Sequence, residues 1–309
     1  MFNRTRQLAE NAIMLGIATV FLLLATYTLL GGLVLMIIPI PFILLARQRA
    51  LRDMLFIIAT FGLLSLIISG PFMILPAVML ATVGLVMGYL YQKKKTAIPA
   101  VLGGAGAMLL TIISFLVISI YGLNVDIVGQ LKQVITEVEA MPIPSLPANM
   151  TEAQYRDFIE KNFEMMISLF PASIMMTSFM VSGLNHWMSR IITKRLGSPI
   201  PALKPFREWS LPRSLIYYYF LTLLFMMLFY QSVSGTFYGK AILNLRFVLE
   251  ILFTIQGLSF CFFWFHIKGW NKFTWLLIVF IFTPLNTILS LLGIFDLGIG
   301  LRNRIERRM

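Results

Sequence analysis

Few side chains in this sequence have the type and spacing that chemistry inside an apolar environment requires. Ser182 and His186 stand four apart in "VSGLNHW", close enough to share one helix face. A serine nucleophile also needs a strained, glycine-framed position and an oxyanion hole, and this stretch offers neither. The pair reads instead as polar residues at a membrane interface beside Trp187. There is no HExxH for zinc and no glycine-rich loop followed by Lys-Ser/Thr for a nucleotide phosphate. His186 and His266 lie far apart and the single cysteine, Cys261, sits inside an apolar run. Neither a disulfide nor a transition-metal site is expected. The expectation is a protein that is not an enzyme, with no catalytic, cofactor-binding or metal-binding residues.

Three other pairs carry more weight. Arg246 and Glu250 are four apart in an apolar stretch. Charges in lipid are costly unless paired, so they are read as a candidate buried ion pair. Asp296 is followed by Gly298 and Gly300, and it is a candidate structural contact for Arg302 or Arg304 where the chain leaves the apolar region. Ala12 and Gly16 form a small-xxx-small pair, as do Gly84 and Gly88. Such spacing lets helix backbones approach closely, and Ala12 with Gly16 is a candidate helix-docking face.

The elements that must position these residues follow from composition. Hydrophobic residues make up 59% of the 309 and charged residues only 12%, about half the charged share of soluble domains. Apolar runs reach the length of about 20 residues needed to cross a hydrocarbon core of about 30 Å. Nine such segments are legible, at about 8–30, 31–46, 54–70, 71–91, 97–121, 163–189, 213–234, 241–267 and 273–300. The fold class is therefore all-α, a polytopic helical membrane protein with about eight to ten membrane segments. The first segment, preceded by Arg4 and Arg6, is too long for a signal peptide and reads as an uncleaved span. The second carries Pro39 and Pro41, so it is expected to be bent or partly unwound and shielded from lipid by neighbours.

The net charge of +12 does not point to nucleic acid, because the cations cluster in short loops between apolar runs. Arg4 and Arg6, Arg47 to Arg52, and Lys93 to Lys95 fall on one side by parity, and the positive-inside bias makes that side cytoplasmic. Residues 122–162 form an acidic external stretch whose first part reads as an amphipathic helix over 127–138. A second helix is expected from Thr151, with Gln154 completing a capping box. Together they form either a lid or an interfacial layer. The layout is a six-span bundle over 1–190, a basic cytoplasmic loop over 191–212 and further membrane segments over 213–309. One crossing over 273–300 would leave Arg302, Arg304, Arg307 and Arg308 outside; a re-entrant hairpin broken at Pro284 would keep them inside.

The stretches "PFREWSLP" (205–212), "RSLIYYYFLTLL" (213–224), "IQGLSF" (255–260) and "LLGIFDLGIGLRNRI" (291–305) resemble the YybS-like family of bacterial membrane proteins, whose members have no assigned activity. The six spans of 1–190 are also similar in topology to the substrate-binding S component of energy-coupling-factor transporters. That second resemblance implies a small-molecule ligand bound beneath external loops. It further implies a separate energising transmembrane subunit with ATPases, docked on the Ala12 and Gly16 face. The chain departs from that pattern in its three extra segments and its long external loop. The setting implied is the bacterial cytoplasmic membrane, with lipid as the partner common to every reading. The competing expectation is a scaffold whose basic loops recruit cytoplasmic or lipid partners.

Overall fold

The computed structural model describes residues 2–94, 96–126, 129–130, 133–134, 136–137, 151–233, 235–270 and 286–306. Among them every regular element is helical, and the protein is a polytopic helical membrane protein. Five described helices are long and apolar enough to cross a membrane: Thr5–Tyr27, Leu51–Ser69, Pro71–Lys93, Ile98–Gly122 and Phe237–Ile267. Glu152–Ser168 and Phe170–Arg195 pass the same test together as a broken pair, while Gly31–Ala46, Ser214–Phe229 and Asn286–Ile299 are shorter. The expected helix over 127–138 and the break at Pro284 fall largely or wholly outside the described residues.

Contacts group the chain into two compact units, 1–141 with 174–203 and 142–173 with 204–309. The second half of the external stretch thus groups with the C-terminal segments.

In the first unit, α1 (Phe2–Tyr27) is followed by α2 (Gly31–Leu35) and α3 (Pro39–Ala46). The break between α2 and α3 has a simple cause. Pro39 and Pro41 lack amide hydrogens, and the amide of Ile40 turns back to Ile37 O at 3.1 Å instead of reaching Met36 O. All of α3 except Leu44 is buried, so the interrupted backbone is kept from lipid as the sequence requires. The neighbours are α4 (Leu51–Ser69), α5 (Ile74–Lys93) and α6 (Ile98–Val117). The crossing of α3 on α5 runs over the Gly84–Gly88 pair. A Cβ at Gly88 would lie 2.7 Å from Ile43 O, and one at Gly84 would overlap Pro39 O. The turn after α4 uses Gly70 at φ +81°, followed by Pro71, and α1 is tied to the end of α4 by Thr26 Oγ1 to Ser69 Oγ at 2.6 Å.

In the second unit, α7 (Glu152–Ser168) opens on the expected capping box of Thr151 and Gln154. It meets α8 (Phe170–Arg195), whose first residues belong to this unit, at Leu169. Pro171 removes one helical hydrogen bond, and Asn244 replaces the next. Its Oδ1 accepts from Ala172 N at 2.9 Å and its Nδ2 donates to Ser168 O at 2.6 Å. After α9 (Ser214–Val233) comes α10 (Phe237–Ile267), 31 residues long, about 46 Å at the helical rise. It crosses α11 (Asn286–Phe295) where Gly257 faces the backbone of Leu289 and Gly293 faces that of Phe253. A π-turn over Asp296–Gly300 leads into α12 (Leu301–Glu306).

Candidate functional sites

A row of polar side chains runs down one face of α8 inside the first unit: Ser178, Ser182, Asn185, His186, Ser189 and Thr193, none more than 4% exposed. Their three- and four-residue spacing is one helix stripe, here pointed inward where an apolar stripe would be ordinary. Most members are satisfied. Ser182 Oγ donates to Val101 O at 2.7 Å, and Tyr91 Oη and His186 Nδ1 are hydrogen-bonded at 2.7 Å. Ser182 and His186 therefore serve different neighbours. His186, expected at the interface beside Trp187, is buried because Tyr91 of α5 supplies a partner, while Trp187 is 60% exposed. Asn185 Nδ2 donates to Met36 O at 2.8 Å, the carbonyl freed by the α2–α3 break. Two atoms of the row have no hydrogen-bond partner among the described residues: Asn185 Oδ1 and Ser189 Oγ. An unsatisfied buried polar group costs about 1–3 kcal/mol, so a pair one turn apart is a feature to explain.

The second unit holds a denser node. Asp296 Oδ2 accepts from Arg302 Nε at 2.9 Å and from Gln256 Nε2 at 2.6 Å. Arg302 then spreads its fork, Nη1 to Arg207 O at 2.8 Å and Nη2 to Ser259 Oγ at 3.0 Å. Ser259 donates to Phe206 O at 2.7 Å, and Gln256 Oε1 accepts from Leu211 N at 2.9 Å. Phe263 lies under the guanidinium, 5.4 Å from it. The Asp296 and Arg302 side chains are 3% and 14% exposed. A planar five-donor fork suits this geometry; the arrangement clamps the 205–212 stretch onto α10 and the 296–302 turn.

The family model described as "Predicted membrane protein (DUF2232)" matches residues 16–297. The chain belongs to the DUF2232 family. It is 30% identical over 312 residues to the "Uncharacterized protein YybS" of Bacillus subtilis (strain 168), an alignment covering 98% of this chain and 99% of that one. No solved structure gives a significant match. Three stretches that carry the YybS-like resemblance, 205–212, 255–260 and 291–305, meet at the Asp296 node. In this DUF2232 chain they are distant in sequence and joined by side-chain hydrogen bonds.

The remaining sequence-read residues stand as follows. Arg246 Nε and Glu250 Oε2 are 4.0 Å apart, with side chains 43% and 26% exposed. The pair is loose and partly exposed, although Arg246 Nε itself is buried with no hydrogen-bond partner among the described residues. Ala12 and Gly16 are both exposed on α1, and a Cβ at Gly16 would meet nothing within 4 Å. Among the described residues no group of three or more His, Cys, Asp or Glu is placed to hold a metal. Sequence reasoning passed over Asn185, Ser189, Asn244, Gln256 and Ser259. The one available signal was the polar repeat along 178–193.

Proposed function

We propose that this protein binds a small polar molecule inside its first unit and assists its movement across the bacterial cytoplasmic membrane, with the N-terminus cytoplasmic. The observation that carries this reading is the pair Asn185 Oδ1 and Ser189 Oγ, in residues of 0% exposure and without partners among the described residues. Polar groups inside a membrane bundle are expensive, and their usual use is a ligand or a pathway. Asn185 offers an acceptor and Ser189 a hydroxyl, which suits a ligand bearing both a donor and an acceptor. The topological likeness of 1–190 to a transporter S component supports the same reading. The chain carries no nucleotide-binding motif, so energy would come from a separate transmembrane subunit with ATPases, docked on the exposed face of Ala12 and Gly16.

Thermal unfolding of the detergent-purified protein against a panel of vitamins and polar metabolites tests this. Binding to the folded state raises the transition by mass action. Ser189→Ala removes a hydroxyl that bonds no described residue. The expected result is an unchanged or slightly higher transition without ligand, and loss of the ligand-dependent rise. A panel with no hit, or a hit indifferent to Ser189→Ala, defeats the reading.

The scaffold alternative draws support from the Asp296 node, which holds 205–212 in one shape beside exposed Lys204, Glu208 and Arg213. Under that reading, Trp209→Ala would release a fixed cytoplasmic partner while leaving the metabolite panel silent.

A further inference from the structure

At the N-terminal ends of α1 and α4 a cleft of about 470 Å³ opens between the two helices, within the roughly 300–1,000 Å³ range of small-molecule sites. Its lining changes character along its length. Gln7, Asn11, Arg49 and Asp53 line one end, and Leu15, Ile57 and Thr60 lie further along the same two helices. From Gln7 to Leu15 is about 12 Å along a helix axis. A polar mouth that grades into an apolar floor fits one amphiphile, with its head group at the start of the helices and its chain running along them.

The charges narrow the head group. Arg49 is 7% exposed. Its Nε donates to Asn11 Oδ1 at 2.8 Å and its Nη2 to Glu10 Oε2 at 2.8 Å. Nη1 makes no hydrogen bond to a described residue. The buried fork is thus held from behind by α1 and keeps one donor group uncommitted at the cleft. Glu10 is shared between Arg49 and Arg6, the latter at 3.0 Å. Asp53 is exposed and forms no ion pair or side-chain hydrogen bond with a described residue. Glu10 is taken up by Arg6 and Arg49, and Arg52 lies over Phe56 at 6.0 Å, so Asp53 is the lining carboxylate with no ion-pair partner among the described residues. A zwitterion meets a donor for its phosphate and a carboxylate for its ammonium.

We propose that this cleft seats the head group of one zwitterionic aminophospholipid, its phosphate on Arg49 Nη1 and the Asn11 amide, its ammonium on Asp53. The acyl chains follow Leu15 and Ile57 and pass into the bilayer beside Leu8 and Phe56, which are 65% and 64% exposed. The site shares no residue with the Asn185–Ser189 pair, so lipid retention here and ligand binding there are tested separately, while a lipid seated here would compete with a subunit docked on the Ala12 face. It also places a lipid against Ala12, the residue singled out for docking.

The full chain, purified in mild detergent, is equilibrated with equimolar phosphatidylethanolamine, phosphatidylcholine and phosphatidylglycerol, and retained lipid is read by native mass spectrometry. Phosphatidylethanolamine is expected to be retained about fivefold over phosphatidylglycerol, the scale of one exposed ion pair, and above phosphatidylcholine, whose methylated ammonium cannot donate a hydrogen bond to Asp53. Asp53→Asn, at a side chain with no hydrogen bond or ion pair to another described residue, brings ethanolamine down to the choline level. Ala12→Trp, from an exposed position, fills the cleft and removes all three. Equal retention of the three lipids by the unaltered protein overturns the proposal, as does an ethanolamine preference that survives Asp53→Asn. Soluble phosphoethanolamine displacing the lipid at equal concentration would overturn the acyl seat.

Discussion

Asp296 and Arg302 sit either side of a π-turn, and the wider helical turn brings a six-residue spacing into ion-pair contact at 2.9 Å. Removing Arg302 leaves a buried carboxylate with Gln256 as its remaining hydrogen-bond donor among the described residues. Breaking a buried pair typically costs about 3–5 kcal/mol. Arg302→Ala is therefore expected to cost that much in detergent unfolding, and the double variant Asp296→Asn with Arg302→Ala less than the sum of its singles, because both act on one network. Additive losses would show that the pair does not work as a unit. Glycines give a second contrast at this scale. A methyl on Gly293 would strike the backbone of Phe253, whereas one on Gly298 would rest 3.7 Å from Ile216 Cδ1. Gly293→Ala should cost about 1–3 kcal/mol by overpacking, and Gly298→Ala should be close to neutral in the same measurement.

At the scale of elements, two helix breaks are repaired by asparagines from elsewhere in the chain. Asn185 covers Met36 O at the α2–α3 break, and Asn244 inserts its amide between Ala172 N and Ser168 O at the α7–α8 break. The prolines behind both breaks stand in the sequence; the asparagines that answer them do not announce themselves, being 149 and 72 residues away. Asn244→Ala should cost about 1–3 kcal/mol by leaving a buried donor and acceptor unmade. Adding Pro171→Ala lets the helix close its own hydrogen bonds and should recover part of that loss. If the second substitution recovers nothing, the amide is not acting as a backbone surrogate.

The whole molecule is bounded by its solvent. Apolar helices with exposed Leu, Phe and Met over most of their surface are stable only where lipid replaces water, and the positive-inside bias predicts that the end carrying the cationic loops faces the cytosol. In a Cys261→Ala background, a cysteine at Ala148 is expected to react with an impermeant thiol reagent in intact cells, and one at Met309 to be protected. Labelling at 309 would replace the re-entrant reading of 273–300 with a single crossing. Residue counts alone leave that choice open, since the charge of 302–308 and the parity of the preceding segments point to opposite sides.

Sequence alone determined that this is a helical membrane protein, where its apolar segments run and that 31–46 is broken; it marked Gly84 and Gly88 as a pair able to sit at a close crossing, as it did the exposed Ala12 and Gly16. Each of these depends on local composition: the apolar length of a run, a missing amide hydrogen, a missing Cβ. Only the tertiary structure decided which polar side chains meet. Gln256 reaches Asp296 because Gly257 and Gly293 let two backbones touch; His186 turns to Tyr91, away from Ser182; and Arg246 with Glu250 stays partly exposed. A hydrogen bond between distant residues is set by how closely their helices approach, and no local pattern encodes that distance.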